Sequence, residues 1–221
     1  MDKLVVTGYT SEIAKSFFQL LEVKQKISVI KCGRGEDADL TVDFSSPPST
    51  KKFIEKLDGI EPRYLFLNHG VLPGKSLLES SEEEIANSVQ VNMISTIMIL
   101  EALNQFKDLK TIVMSSISGK AGSYDTLYAS CKAGVDLIIK KCAVSLPPSS
   151  RLNSVSPGII FDARMTKIRT DVKNLETKEN QTPTKKLTSS AEVANLVYFL
   201  LFESDNIQGE NININGGLFV K

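Results

Sequence analysis

Short apolar runs alternate with amphipathic stretches along most of the chain, which gives a series of candidate strands and helices. Short, mainly apolar runs predict strands at 3–7, 27–30, 64–67, 111–114 and 152–155, and alternating residues predict a last strand at 211–215. Apolar residues at helical spacing predict helices at 11–21, 53–57, 82–106, 128–145 and 193–202. Strand and helix therefore alternate almost throughout.

This alternation is typical of a parallel sheet that is covered by helices on both faces. We predict an α/β protein with a doubly wound parallel sheet and a single domain over residues 1–221, because no linker or internal repeat interrupts the pattern. The stretch 162–190 differs from the rest, since it is polar, rich in Lys and Thr and poor in aliphatic residues. We expect it to form a loop or small mobile helices.

Composition narrows the class of protein further. The 221 residues carry 26 basic and 26 acidic side chains, and this balance argues against non-specific nucleic-acid binding, which needs a basic stripe. Three distant cysteines suggest neither a zinc site nor a disulfide framework. No apolar run approaches the ~18–20 residues that span a membrane, and no signal peptide is visible. We therefore expect a cytoplasmic protein with no nucleic-acid or membrane partner.

The turn after the first strand is a candidate phosphate-binding loop, because ligands of such sheets bind beyond the carboxyl ends of the strands. It reads Thr7-Gly8-Tyr9-Thr10-Ser11-Glu12-Ile13-Ala14. Free N–H groups at a helix N-terminus can hold a pyrophosphate. Glu12 and Ala14 leave the glycine spacing incomplete, so an ordinary helix cap by Thr10 or Ser11 explains the same residues.

The second strand is followed by Gly33 and Arg34, with no acidic residue that would bind a ribose 2′-hydroxyl. An arginine suits a 2′-phosphate instead, to which it donates paired hydrogen bonds. A solvated surface arginine is the alternative interpretation.

The densest group of candidate catalytic residues comprises Ser116, Tyr128 and Lys132. Tyr128 and Lys132 are four residues apart and lie on one face of the predicted helix. A nearby ammonium lowers the pKa of a phenol and makes it a usable general acid and base. Spacing alone is equally compatible with a packed phenol beside a surface lysine.

Taken together, these landmarks resemble the short-chain dehydrogenase/reductase family over essentially the whole chain. The Tyr-x-x-x-Lys pair, the serine twelve residues upstream, Asn68-His69-Gly70, the 153–158 segment and the closing Gly216-Gly217 carry the resemblance. The family's catalytic residues correspond to Asn92, Ser116, Tyr128 and Lys132. The resemblance places the cofactor on Gly8, Thr10, Ser11, Ile13, Gly33, Arg34, Asp43, Phe44, Asn68, Gly70, Tyr128, Lys132, Pro157, Gly158 and Ile160.

The resemblance implies a Rossmann-like fold, NADP(H) rather than NAD as cofactor, and interconversion of a carbonyl and a secondary alcohol on a small-molecule substrate. Tyr128 would exchange the proton, Ser116 would orient the oxygen, Lys132 would lower the pKa of Tyr128 and bind the ribose, and Asn92 would hold a water. The segment 162–190 would close over the substrate. Pairing of the helices 82–106 and 128–145 between subunits would give a homodimer or homotetramer, although burial within the monomer explains their apolar content too.

Several residues depart from the family pattern. Glu12 and Ala14 replace glycines, Asp162 replaces a threonine that contacts the nicotinamide, and His69 is unusual in its turn. We interpret His69 as structural. The basic residues of 162–190 suggest an anionic substrate, although a solvated loop explains them too. Two other functions remain open, namely nucleotide binding without turnover, or an epimerase or dehydratase that uses hydride transiently.

Overall fold

The computed structural model of the protein describes residues 1–169 and 174–219. The strands in this part of the chain are β1 (Lys3–Thr7), β2 (Ser28–Gly33), β3 (Leu40–Thr41), β4 (Tyr64–Leu67), β5 (Lys110–Met114), β6 (Arg151–Pro157) and β7 (Asn211–Ile214). They form one sheet in the order β3-β2-β1-β4-β5-β6-β7, and every neighbouring pair is parallel. The predicted doubly wound parallel sheet is confirmed.

The helices cover both faces of this sheet. They are α1 (Glu12–Lys24), α2 (Pro47–Ile60), α3 (Glu82–Val89), α4 (Ser95–Ala102), α5 (Ser118–Ala121), α6 (Thr126–Ala143), α7 (Arg164–Lys167), α8 (Leu175–Gln181) and α9 (Ser190–Tyr198). A π-helical turn, Gln90–Ile94, joins α3 to α4, and a second one, Phe199–Glu203, follows α9. Single 3-10 turns occupy Leu77–Glu79 and Leu103–Gln105.

Alternation along the strands divides the core into two layers. In β1, Leu4 and Val6 pack with α1 and α9, whereas Val5 faces the layer that contains α2, α4 and α6. Phe17 of α1 meets Phe66 of β4 edge to face, with ring centroids 5.5 Å apart. Because both faces of the sheet are buried, the central strands consist of nearly continuous apolar runs.

The chain crosses from one half of the sheet to the other between β1 and β4, which lie side by side although β2 and β3 separate them in sequence. This reversal of strand order opens a crevice at the carboxyl ends of the strands. The turns after β1, β4, β5 and β6 all meet there, and they carry the residues with candidate chemistry.

Some predicted boundaries were wrong. The helix predicted at 53–57 is the much longer α2, because the Ser46 side chain caps its first turn and Pro47 and Pro48 occupy the first helical positions. The predicted helix 82–106 is interrupted by the π turn. The sequence pattern did not predict β3 or α5, which are two and four residues long.

The segment 162–190 contains the two short helices α7 and α8, as its composition predicted, while residues 170–173 of this segment lie outside the described part of the chain. It is tied down at its C-terminal end, where Leu187 is buried and Thr188 pairs with Ile160. Among the helices of 1–169 and 174–219, none is long and apolar enough to cross a membrane.

Candidate active site

A cavity of about 710 Å³ lies at the carboxyl ends of the strands. Of the site residues predicted from the sequence, it is lined by Gly8, Thr10, Ser11, Ile13, Gly33, Arg34, Asp43, Phe44, Asn68, Gly70, Ser116, Tyr128, Lys132, Pro157, Gly158 and Ile160. The fold therefore brings these residues, which are distant in the sequence, together in one cavity. Asn92 alone among the predicted site residues does not line it.

The turn after β1 is fixed against the turn after β4. Gly8 adopts a φ of +61°, and a Cβ atom there would lie 2.5 Å from the carbonyl oxygen of Asn68, so only glycine fits. Ser11 is the N-cap of α1: its hydroxyl accepts from the backbone N–H of Ala14 at 3.1 Å and from Asn68 Nδ2 at 2.7 Å. The first turn of α1 thus faces the cavity, where its N–H groups lack intrahelical partners.

Both acidic departures from the family pattern have partners away from the first turn of α1. A carboxylate oxygen of Glu12 accepts from the backbone N–H of Arg164, the first residue of α7, at 3.1 Å. Asp162 Oδ1 accepts from the backbone N–H of Ser190 at 2.9 Å and from its hydroxyl at 3.0 Å. Glu12 therefore joins the glycine-rich loop to the segment predicted to close over the substrate.

The end of the cavity at β2 carries the two charged residues Arg34 and Asp43. Burial raises the pKa of Asp43, but hydrogen bonds from Ser45 and the charge of Arg34 outweigh it and lower this pKa overall. Arg34 itself is exposed. A further residue that the sequence analysis missed is Tyr9, which is 8% exposed and packs against the glycines at 33 and 35.

Gly33 and Gly35 leave space for the ring of Tyr9 because they have no side chains. A Cβ atom on Gly33 would lie 3.2 Å from the Tyr9 ring, and one on Gly35 would lie 2.2 Å from its hydroxyl oxygen. Tyr9 and Arg34 both line the cavity, so the phenol ring lies at the same end of it as the guanidinium.

Tyr128 and Ser116 come together at the centre of the cavity. Asp125 caps α6 by accepting from the backbone N–H of Tyr128 at 2.9 Å, which fixes where the helix begins. Gly119 lets the loop after β5 approach α6, because a Cβ atom there would lie 2.8 Å from the backbone nitrogen of Ala133. Burial raises the pKa of Tyr128 to about 12, although a hydrogen bond from Ser116 opposes this shift.

Lys132 is buried one helical turn after Tyr128, and its Nζ donates to the Met114 carbonyl oxygen at 2.8 Å. Burial lowers the pKa of Lys132 to about 8. Burial outweighs the two groups that lower the pKa of Tyr128, which are the Ser116 hydroxyl and the charge of Arg169. The effect of Lys132 on this pKa therefore stays a prediction. Burial favours the neutral form of each group, although Tyr128 is only half-buried where it lines the cavity.

Asn92 lies in the π turn Gln90–Ile94 and supports the loop after β4. Its Oδ1 accepts from the backbone N–H of Val71 at 2.9 Å, and its Nδ2 donates to the Val71 carbonyl at 2.8 Å and to the Ser88 hydroxyl at 3.1 Å. Both donors of the amide are thus occupied by protein groups. A water held by Asn92, as predicted, would have to bind an atom other than the side-chain nitrogen. We assign the side chain to positioning the loop after β4.

His69 is a structural residue, in line with its interpretation from the sequence. Its Nδ1 lies 2.8 Å from the Thr7 hydroxyl, its Nε2 lies 3.0 Å from the Ser95 hydroxyl, and its ring stacks on Phe44 at a centroid distance of 3.8 Å. Burial, together with the charge of Lys132, lowers its pKa to about 3. A neutral imidazole therefore joins β1, β4 and the long helical segment.

Comparison with known proteins identifies the family. A family model described as Enoyl-(Acyl carrier protein) reductase matches residues 17–219. The 3-oxoacyl-(acyl-carrier-protein) reductase of Aquifex aeolicus is 29% identical over 98% of this chain and 87% of its own length. The L-rhamnose 1-dehydrogenase (NAD(P)(+)) of Azotobacter vinelandii is 27% identical over 69% of this chain and 63% of its own length.

Solved structures show the same fold. A short-chain dehydrogenase family protein of Francisella tularensis superposes with a TM-score of 0.84 at 22% identity and covers 99% of this chain and 98% of its own. The aldohexose dehydrogenase of Thermoplasma acidophilum gives a TM-score of 0.83 at 20% identity, covering 98% of this chain and 93% of its own. On the family match and the fold, the chain belongs to the short-chain dehydrogenase/reductase family, a family of NAD(P)-using oxidoreductases.

Proposed function

We propose that the protein is an NADP(H)-dependent oxidoreductase that interconverts a carbonyl and a secondary alcohol on a small-molecule substrate. The observation that carries this proposal is that Tyr128, Ser116 and Lys132 line the same cavity as the first turn of α1. Proton exchange and dinucleotide binding can thus take place in one continuous space.

The described residues fit a dinucleotide along this cavity. The first turn of α1 offers N–H groups to a pyrophosphate, and Arg34 offers paired hydrogen bonds to a 2′-phosphate. The carboxylate of Glu12 would repel the phosphates of the cofactor. Its hydrogen bond from the backbone N–H of Arg164 ties it to α7. The relatives support NADP(H) only indirectly, since the rhamnose dehydrogenase is named for either cofactor.

When bound, the nicotinamide supplies or accepts the hydride. Ser116 orients the substrate oxygen, and Tyr128 transfers a proton to it during reduction or removes one during oxidation. With a pKa of about 12, Tyr128 is protonated at neutral pH, which is the form that reduction requires. The Met114 carbonyl fixes Lys132, which binds the ribose and, as an ammonium, stabilises the phenolate left after proton transfer.

The assembly and the closing segment are proposals of the same kind. We place the protein in the cytoplasm as a homodimer or homotetramer, with α7, α8 and the rest of 162–190 closing over the substrate. The closing role is supported by Met165 and Arg169, which line the same cavity as Tyr128.

A turnover screen tests the proposed function. Purified protein is mixed with NADPH and a panel of 3-oxoacyl thioesters, aldoses and simple ketones, and the loss of NADPH absorbance is followed. Oxidation of NADPH that depends on one carbonyl class is the expected result. Binding of NADPH without turnover of any compound would favour the non-catalytic alternative, and product without net NADPH loss would favour an epimerase or dehydratase.

Tyr128→Phe is the matched variant for this screen. It removes the hydroxyl and leaves the ring in place, so folding and NADPH binding should persist. Because proton transfer by a placed side chain is worth about 10²–10⁴ in rate, kcat should fall by that order. A Tyr128→Phe protein that reduces the same substrate at the wild-type rate would rule out this mechanism.

A further inference from the structure

One helical turn beyond Lys132, α6 carries the buried carboxylate Asp136, which the mechanism above does not use. Tyr128, Lys132 and Asp136 are spaced four residues apart, so all three project from one face of α6. Asp136 is 9% exposed. Burying a carboxylate costs free energy, whereas an apolar side chain would pack at this position without that cost. The buried Asp136 therefore needs a compensating interaction.

Polar groups from three strands surround this carboxylate. The Ser154 hydroxyl of β6 donates to Asp136 Oδ1 at 3.4 Å. Burial raises the pKa of Asp136 overall, and hydrogen bonds from Ser115, directly after β5, and Asn211 of β7 oppose this shift, as do the charges of Lys120 and Lys132. Ser115 and Ser154 are both buried, with exposures of 3% and 0%. We call Asp136, Ser115, Ser154 and Asn211 the polar cluster.

The polar cluster is incompletely hydrogen-bonded. Within the described residues, Asp136 Oδ2, Ser115 Oγ and both side-chain polar atoms of Asn211 lack a well-formed hydrogen bond. Leaving such groups buried costs free energy, and native proteins usually satisfy them with ordered water. Ordered water would therefore complete the hydrogen bonding of this carboxylate.

Asp136 acts electrostatically on two lysines. Burial lowers the pKa of Lys132, and the charge of Asp136 is the largest effect that raises it. Lys120 of α5 is affected in the same way. The other titratable groups that interact with Lys132 or Lys120 are Tyr128, Cys131, His69, Lys140 and Glu210.

We propose that Asp136 is a positioning residue of the active site, which keeps Lys132 in its ammonium form and is itself held by the polar cluster. Lys132 needs that charge to stabilise the Tyr128 phenolate and to donate to the ribose. Without a carboxylate nearby, a lysine buried to this extent loses its proton more readily. The catalytic consequence rests on the proposed function, whereas the charge state of Lys132 does not.

A titration of Lys132 tests the proposal without any substrate. Lysines are labelled at the ε-carbon, and the NMR signal of Lys132 is identified by its loss in Lys132→Gln. In Asp136→Asn the pKa of Lys132 should fall by at least about one unit, a tenfold change in the ammonium-to-amine ratio. The matched control is Glu210→Gln, which removes an exposed carboxylate that acts on Lys120 but not on Lys132.

An unchanged Lys132 pKa in Asp136→Asn, or an equal shift in Glu210→Gln, would overturn the proposal. If Asp136→Asn does not fold, Asp136→Ser removes the same charge with a smaller side chain, and the expectation is the same. Asp136→Glu keeps the charge and should restore most of the wild-type pKa.

The pH profile of reduction supplies the second readout. The rate should fall as pH rises through the pKa of Lys132, and in Asp136→Asn this alkaline limb should move to lower pH, while Glu210→Gln keeps it in place. A loss of packing alone would lower the rate at every pH without moving the limb. If the lysine titration shifts and no carbonyl is turned over, the proposed function fails and the role of Asp136 stands.

Discussion

We expect the charge at the end of β2 to set the preference of the proposed cofactor site between NADPH and NADH. Arg34 lines the cavity and is exposed, and no acidic residue replaces it at the end of the strand. Asp43 lies nearby, but Ser45 donates to its Oδ1 through both its backbone N–H and its hydroxyl, at 3.0 and 2.8 Å. If the cofactor carries a 2′-phosphate, as we propose, we expect Arg34 to be its cationic partner.

Removal of this guanidinium should abolish the preference for NADPH. In Arg34→Ala we expect NADPH binding to weaken by about ten- to a hundredfold, or ~1.5–3 kcal/mol, since a charge-assisted hydrogen bond to phosphate is lost. NADH binding should change little. Calorimetry with both cofactors measures this, and Lys51→Ala, an exposed cation of α2 outside the cavity, is the control. Tighter binding of NADH than of NADPH by the wild-type protein would contradict the assignment.

At single residues, sequence reasoning succeeded where spacing determines geometry. Tyr128 and Lys132 share a helix face for that reason, and Ser116 follows a strand that neighbours that helix. It failed for properties that depend on the surroundings of a residue. The burial that raises the pKa of Tyr128, for example, cannot be read from spacing. The partner of Glu12 was equally hidden, since the residue that donates to it lies 152 positions away.

Among the elements, periodicity found every long helix but not its interruptions. The apolar spacing of 82–106 continues across the π turn, so the pattern gives no sign of it. In the fold, Ser88, Asn92, Ser95 and Thr96 of this stretch are buried polar residues, and the Asn92 side chain donates to the Ser88 hydroxyl while the Ser95 hydroxyl donates to the Val91 carbonyl. The short β3 and α5 lie below the length at which periodicity is informative.

The segment 162–190 should be the most readily opened part of the fold. None of the side chains of α8 is buried, and α7 buries only Thr166. Hydrogen exchange should therefore be faster in α7 and α8 than in α6, and it should slow on addition of NADPH. Thr188, which pairs with Ile160, serves as an internal control and should remain protected. Amides of α8 that exchange as slowly as those of α6 before any ligand is added would contradict a closing role.

For the molecule as a whole, stability should depend on pH through His69, the only histidine in the sequence. Its pKa of about 3 in the fold lies below the unfolded value of 6.5. As pH falls below 6.5 the unfolded chain takes up a proton first, so the free energy of unfolding declines between pH 6.5 and about 3. The contribution of this residue is up to about 1.4 kcal/mol per pH unit.

Urea unfolding between about pH 7 and pH 5 measures this slope above the range of most carboxylates. His69→Gln should be less stable at neutral pH, because it cannot bridge Thr7 and Ser95 in the same way, and its slope should be flatter. Equal slopes for the two proteins would show that His69 takes up its proton as readily in the fold as in the unfolded chain, which would contradict the lowered pKa.

The hydrogen bond from Arg164 to Glu12 connects the loop that we propose to bind the cofactor with the segment that we propose to close over the substrate. Any event that moves the carboxylate changes the stability of α7, and any event that orders α7 changes where that negative charge stands relative to the phosphates. Such a connection is an energetic coupling, and thermodynamics requires it to be reciprocal. The factor by which the cofactor alters the affinity for the substrate must equal the factor by which the substrate alters the affinity for the cofactor.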